Sequence, residues 1–210
     1  MYKLYYSPGA CSMAIHVALL ECNAPFSLEK IDIMSGQGRS PEFLKINPRG
    51  QIPVLVEDGE TIREGAAMLI HILEKHQSPL LPNSGKARTT ALEWLMFGNA
   101  TLHPAYARVF FLMRNAPDDA TKDVLIEAAT KGINKLWEEV EQRLGGSSWL
   151  CGEQITIADI LITVIANWSR NIPKPIQFGP KTKKLFQTVI ARPSYKKALE
   201  TEHVEYKAAA

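Results

Sequence analysis

Asn47-Pro48-Arg49-Gly50-Gln51-Ile52-Pro53-Val54-Leu55-Val56-Glu57-Asp58-Gly59-Glu60-Thr61-Ile62-Arg63-Glu64-Gly65-Ala66-Ala67-Met68-Leu69-Ile70-His71-Ile72 is the stretch in which the chain's pattern changes twice. Val54, Leu55 and Val56 form a short apolar run, and Asp58-Gly59 supplies the pair of positive-φ positions that a two-residue hairpin needs. Thr61-Ile62-Arg63 reads as the return strand. At Glu64-Gly65 the period switches, and Ala67, Leu69, Ile70 and Leu73 fit a helix of 3.6 residues per turn. Proline donates nothing to a ladder and is confined to strand starts, edges or bulges, so Pro53 marks the entry of the first strand. An Ile-Pro bond there is a candidate cis peptide. That geometry would turn the N–H and C=O of Ile52 outward, toward an extended, peptide-like ligand. The helix starting at Gly65 would aim unpaired N–H groups and its positive dipole end at the same place, a seat for a carboxylate.

The preceding residues supply the rest of a small α/β unit. Lys3 to Tyr6 reads as a strand, Ser7-Pro8-Gly9 as a turn, and about Cys11 to Glu21 as a helix apolar enough to be buried. A second strand runs from Phe26 to Asp32. After a loop at Gly36 to Ser40, Ser40-Pro41 has the cap and first-turn proline of a short helix. Gln77 to Gly85 is rich in Ser, Pro, Asn and Gly, and separates a domain at 1–77 from one at 86–210, with 78–85 as linker.

Beyond that linker the pattern is helical throughout. Lys86 to Arg114 reads as one long helix kinked at Pro104, and Pro117-Asp118-Asp119 opens another that stops at Gly145-Gly146. Ile155-Thr156-Ile157-Ala158-Asp159-Ile160 combines a capping box with a hydrophobic staple. It predicts a central helix in which Asp159 is structural, its loss costing about 0.5–2 kcal/mol. A final helical stretch from Lys181 to about Glu200 breaks near Arg192-Pro193, and the tail from Glu202 reads as loosely ordered.

Composition narrows the classes. The 210 residues are 46% hydrophobic and 22% charged, with a net charge of +2, which gives no argument for nucleic acid or a membrane surface. The N-terminal residues lack the apolar core of a signal peptide, so the chain reads as cytoplasmic. Three cysteines, Cys11, Cys22 and Cys151, make no disulfide framework. The predicted helix would hold Cys11 and Cys22 roughly 16 Å apart, well past the roughly 7 Å that a disulfide spans. His16, His71, His76, His103 and His203 show no ligand spacing, so no metal is expected.

Cys11 follows a Pro-Gly turn at a helix N-terminus, the setting that lowers a thiol pKa. Pro8 stands where a redox dithiol would carry its second cysteine, so any disulfide at Cys11 would need an outside thiol to resolve it. Tyr6 reads equally as a core aromatic, Ser7 as a turn residue, and His103 lies on the apolar stripe of the long helix between Asn99 and Tyr106.

At Tyr5-Tyr6-Ser7-Pro8-Gly9-Ala10-Cys11-Ser12, Asn47 to Leu55 and Thr156-Ile157-Ala158-Asp159 the chain resembles the cytosolic glutathione S-transferases, and is most similar to the bacterial beta class. The resemblance implies a thioredoxin-like α/β N-terminal domain followed by an all-helical C-terminal domain. It implies glutathione as co-substrate, with Gln51, Ile52 and Pro53 along the peptide, and Glu64, Gly65 and Ala66 at the γ-glutamyl end. It implies catalytic roles for Cys11, His103, Tyr6 and Ser7. Two departures stand out: Gly65 replaces a common serine, and no lysine occurs at Met34 to Gly38, where Arg39 is the nearest cation. The implied protein is a cytoplasmic, homodimeric detoxification enzyme that conjugates glutathione to small hydrophobic electrophiles. The alternatives are a thiol–disulfide oxidoreductase working through a Cys11–glutathione mixed disulfide, or a non-catalytic carrier of hydrophobic ligands.

Overall fold

The computed structural model describes residues 1–209. The hairpin forms as its residues dictate: β3 (Val54–Glu57) and β4 (Glu60–Ile62) are joined through Asp58 at φ 49° and Gly59 at φ 85°. Around it lie β1 (Tyr2–Tyr6), α1 (Ser12–Glu21), β2 (Phe26–Lys30), α2 (Pro41–Ile46) and α3 (Gly65–Lys75). The sheet order is β2-β1-β3-β4, with β1 parallel to β2 and antiparallel to β3. The parallel pair needs a crossover, and α1 provides it. Residues Ser12 to Leu19 of that helix are all buried, as its unbroken apolar pattern requires. β2 ends two residues before the predicted Asp32. The Asp32 carboxylate accepts the N–H groups of Met34 and Ser35 at 3.0 and 3.1 Å, and this turns the chain out of the ladder.

The chain divides into two compact units. The first comprises Met1–Arg88 together with Arg192–Glu205; the second comprises Thr89–Ala191 and the tail from Tyr206. The sequence places everything after residue 86 in the helical domain, whereas α9 (Pro193–Glu202) packs on α1 in the sheet unit. Charged groups fasten it there. Arg192 donates two hydrogen bonds to the Glu21 carboxylate at 2.8 and 2.7 Å, and buried Glu202 meets buried His16 at 2.9 Å. The tail is also tied down: the Tyr206 hydroxyl donates to the Thr163 carbonyl at 3.1 Å and the Lys207 N–H to Asn167 at 2.8 Å.

In the helical unit the predicted long helix is α4 (Gly85–Met96), a π-helical segment at Phe97–Leu102 and α5 (His103–Asn115). Pro104 has no N–H to give, and its ring crowds the carbonyl four residues back, so the widened turn falls just before it. Next come α6 (Asp119–Leu144), capped by Asp118 accepting the Thr121 N–H at 2.8 Å, and then α7 (Ile157–Ala166) and α8 (Pro180–Ile190). All ten residues of α7 are buried, making it the unit's core.

Asp159 anchors that core. Its carboxylate accepts the Thr156 N–H at 2.7 Å and hydroxyl at 3.2 Å, completing the capping box, and also takes the N–H of Leu150 at 2.9 Å, a partner the sequence did not reveal. Burial pushes its carboxyl up from 3.8 to about 6, against the pull of those hydrogen bonds. The proton is therefore held more tightly in the folded chain than in the unfolded one. The stability drawn from this is complete below the unfolded value of 3.8 and is lost as pH rises through about 6. Asp159→Ala is expected to cost about 3 kcal/mol at neutral pH, more than a lone cap, since two buried N–H groups lose their acceptor at about 1–3 kcal/mol each. Asp159→Asn should remove the downward slope of stability between about pH 4 and pH 7 in urea titrations.

Candidate active site at one end of the sheet

Register brings the candidate residues of the first unit together. Tyr5 pairs with Val54 and Leu55 with Ile62, so one further step along each ladder sets Tyr6 beside Pro53, and two steps set Glu64 beside Pro53 from the other flank. The C-terminal end of β1, the entry of β3 and the exit of β4 thus share one end of the sheet. Two helices, α1 and α3, begin within a few residues of it, and each presents N–H groups with no intrahelical acceptor.

The Ile52–Pro53 bond is cis, as expected. Ile52 is half-buried and lies outside the β1–β3 ladder, which extends from Tyr2–Glu57 to Tyr5–Val54. Asn47, 1% exposed, builds the turn that leads to it: its amide donates to the Gln51 carbonyl at 2.6 Å and its side-chain oxygen accepts the Arg49 N–H at 3.2 Å. Gly50, at φ 66°, closes the turn against Gly38, where an added Cβ would stand 2.7 Å from a backbone oxygen in either direction. Side chains are excluded from both positions, so the 33–39 loop lies directly on the turn, and the stem of Arg39 covers Gly50.

Glu64 is the N-cap residue of α3 and receives a hydrogen bond from Arg49 at 2.5 Å. Gly65 and Ala66 follow as the first helical residues, so their N–H groups point out of the helix end beside that carboxylate. The clamp of Arg49 on Glu64 depends on a separation of 15 residues closing, which no local pattern reveals.

Cys11 is the N-cap residue of α1 and half-buried. The expectation of a lowered thiol pKa is overturned. Burial pushes it up to about 11, and the N–H groups of Cys11 and Ser12 offset only part of that rise. Desolvation of the thiolate outweighs the helix end. All three cysteines are free thiols. Ser7 is held to the start of the helix, its N–H donating to the Ser12 hydroxyl at 3.3 Å while that hydroxyl donates to the Ser7 carbonyl at 3.2 Å. Tyr6 is 9% exposed, and burial raises its phenol pKa.

A second missed residue controls this loop. Glu202, at the end of α9, accepts the Gly9 N–H at 2.9 Å through Oε2 and engages His16 Nδ1 at 2.9 Å through Oε1. Both side chains are at most 2% exposed. A separation of 193 positions hid this contact from any motif. His103 belongs to the helical unit, at the start of α5, where its ring meets Trp168 edge-on at 4.8 Å and burial lowers its pKa, leaving it neutral. Among the described residues no three His, Cys, Asp or Glu side chains gather as a metal would require, and no helix is long and apolar enough to cross a membrane.

A mixed four-stranded sheet with a cysteine and two helix starts at one end, followed by a helical unit, defines a thioredoxin-like fold with an appended helical domain. Residues 9–75 match the family model for the glutathione S-transferase N-terminal domain, and residues 102–193 that for its C-terminal domain. The glutathione S-transferase GST-4.5 of Xanthomonas campestris pv. campestris is 32% identical over 202 residues, covering 95% of this chain and 98% of that protein. Two solved structures align with 97% of this chain and 100% of their own at TM-score 0.83: a bacterial beta class glutathione S-transferase from Sphingomonas chungbukensis, 28% identical, and a sphingomonad glutathione S-transferase complexed with glutathione, 29% identical. The chain belongs to the glutathione S-transferase family.

With its thiol held near 11, Cys11 should be alkylated by iodoacetamide at a rate that climbs about tenfold per pH unit from pH 7 to 9. Mass spectrometry of the adduct measures this, and a plateau below pH 8 would show the thiolate to be stabilised after all. Glu202→Ala should lower stability by about 3 kcal/mol, read by urea denaturation, because it strips a buried imidazole and a backbone N–H of their shared partner.

Proposed function

We propose that the chain is a glutathione transferase that binds glutathione along the shared end of the sheet and conjugates it to small hydrophobic electrophiles. The observation that carries this is the register of β1, β3 and β4, which gathers a free backbone edge at Ile52 and the start of α3 beside the Cys11 loop. In this reading Ile52 pairs its N–H and C=O with the cysteinyl unit, and Gln51 and Pro53 flank it. Glu64 takes the γ-glutamyl ammonium, and the N–H groups of Gly65 and Ala66 take its carboxylate. Arg39, lying over Gly50, replaces the missing loop lysine as the cation at the other end of the peptide.

The reaction removes the proton from the glutathione thiol, and the resulting thiolate attacks an electrophilic carbon, forming a C–S bond as the leaving group departs. Because burial keeps Cys11 protonated, its role here is that of an S–H donor to the glutathione sulfur. The hydroxyls of Ser7 and Tyr6 are the other donors of this loop. His103, neutral, is assigned the polarising role on family resemblance. The family resemblance likewise supports a homodimer working in the cytoplasm as a detoxification enzyme, with a sheet domain for glutathione and a helical domain for the electrophile.

The test is conjugation of glutathione to 1-chloro-2,4-dinitrobenzene, followed by absorbance. Glu64→Ala should raise the glutathione KM about tenfold with kcat changed less than about twofold, the signature of lost ground-state binding. Light scattering should give twice the chain mass. An absence of conjugation beside rapid reduction of a glutathione mixed disulfide, abolished by Cys11→Ala, would replace this reading with the oxidoreductase.

A further inference from the structure

Three arginines surround the turn that leads into β3, and each is engaged differently. Arg39 lies over Gly50, its Nε 3.3 Å from where a Cβ on that glycine would stand. Arg63 donates to the Ile46 carbonyl at the end of α2 at 3.1 Å. Arg49 reaches a carboxylate instead, that of Glu64 at the N-cap of α3. The root of Arg49 is fixed. Its N–H is held by the Asn47 side chain at 3.2 Å, buried Asn47 also holds Gln51 at 2.6 Å, and the close approach of Gly38 to Gly50 locks the turn. The head groups, by contrast, stand in water, with the side chains of Arg49 and Glu64 61% and 66% exposed. An exposed ion pair is held weakly, so this one opens at little cost when a better set of charges is offered.

The N–H groups of Gly65 and Ala66 begin α3 directly after Glu64, so a cation, a carboxylate and helix N–H donors adjoin at this end of the sheet. The γ-glutamyl end of glutathione carries an ammonium and a carboxylate on one carbon. Inserted between Arg49 and Glu64, it makes an alternating row: guanidinium, ligand carboxylate, ligand ammonium, Glu64 carboxylate. Each charge keeps an opposite neighbour, and the guanidinium trades one carboxylate for another. A ligand with only one of the two charges parts Arg49 from Glu64 and leaves one of them unmatched. The pair thus discriminates by penalising the wrong ligand as well as by holding the right one.

We propose that Arg49 is a specificity-determining residue, which exchanges Glu64 for the α-carboxylate of a bound γ-glutamyl group and so selects thiols with a complete amino-acid head. This rests on the reading that puts the head at Glu64, Gly65 and Ala66. The test is conjugation to 1-chloro-2,4-dinitrobenzene with three thiols: glutathione, 4-aminobutyryl-cysteinylglycine, which lacks the carboxylate, and glutaryl-cysteinylglycine, which lacks the ammonium. Arg49→Ala should raise the glutathione KM about three- to tenfold with kcat within about twofold. Its kcat/KM should fall about three- to tenfold for the glutaryl thiol as well, and should stay within about twofold, or rise, for the 4-aminobutyryl thiol. Arg49→Lys, which keeps the charge, should remain within about threefold of the parent for all three. Glu64→Ala should show the reverse pattern, losing glutathione and the 4-aminobutyryl thiol while sparing the glutaryl one. Should the chain conjugate none of them, calorimetric titration with the same thiols is expected to give the same ratios as dissociation constants. An equal loss for all three thiols in Arg49→Ala would make Arg49 a support of the turn, and a lowered glutathione KM would make it a block on Glu64. Either result overturns the proposal, as does no change at all. If Glu64→Ala leaves glutathione unaffected, the placement of the γ-glutamyl head fails, and the role of Arg49 with it.

Discussion

The antiparallel pairing of β1 with β3 is the constraint on which the candidate site depends. It places Tyr5 opposite Val54, and so brings the exit of the first strand beside the entry of the third across nearly fifty residues of chain. A slip of one residue would exchange the faces on which Val54 and Leu55 pack, both fully buried, and take Val54 out of its cluster with Tyr5, Ile31 and Phe43. The hydrophobic demand of those two positions therefore also fixes where Ile52, Glu64 and the loop before Cys11 stand. Helix starts then follow without further specification, because α1 and α3 each leave the sheet at that end.

The electrostatics of the site is a contest between two local effects. Helix N-termini favour a thiolate, and withdrawal from water disfavours it. At Cys11 withdrawal wins, with the thiol near 11. In the proposed function, a cysteine in this state would serve a bound glutathione sulfur as a donor instead of competing with it as a nucleophile. Asp159 obeys the same balance in the helical unit: three hydrogen bonds do not offset its burial, yet the carboxylate ties Leu150 to the start of α7. Buried polar side chains in this protein join segments remote in sequence, as Glu202 joins α9 to the Gly9 turn.

Much of this was legible from local pattern. Asp58-Gly59 specified its hairpin because only small or amide-like side chains tolerate positive φ in succession. Ser40-Pro41, Asp118 and Thr156 specified helix starts through side chains that cap their own backbone. The apolar period from Ala67 to Leu73 identified α3 as a helix, but the face it buries is Ala66, Met68, Leu69, Ile72 and Leu73, with Ala67 exposed, and α7 is buried all round. Ile52 and the helix start at Gly65 were named from the hairpin itself, since the strand entry and the helix start are written in one short stretch, whereas Glu64 came from the family resemblance.

What stayed hidden involved partners distant along the chain, or water removed by packing. The tail and α9 read as an appendage of the helical domain, yet Arg192 and Glu202 carry α9 into the sheet unit through Glu21, His16 and Gly9. The clamp of Arg49 on Glu64 and the stacking of Arg39 over Gly50 required loops to be folded together first. The Cys11 thiol shows the division most plainly. Its place at a helix start was set by Pro8-Gly9 and the apolar run that follows, which are properties of neighbouring residues. Its protonation was decided by how much water the folded protein removes from it, a quantity that exists only once the sheet, α1 and their neighbours have packed.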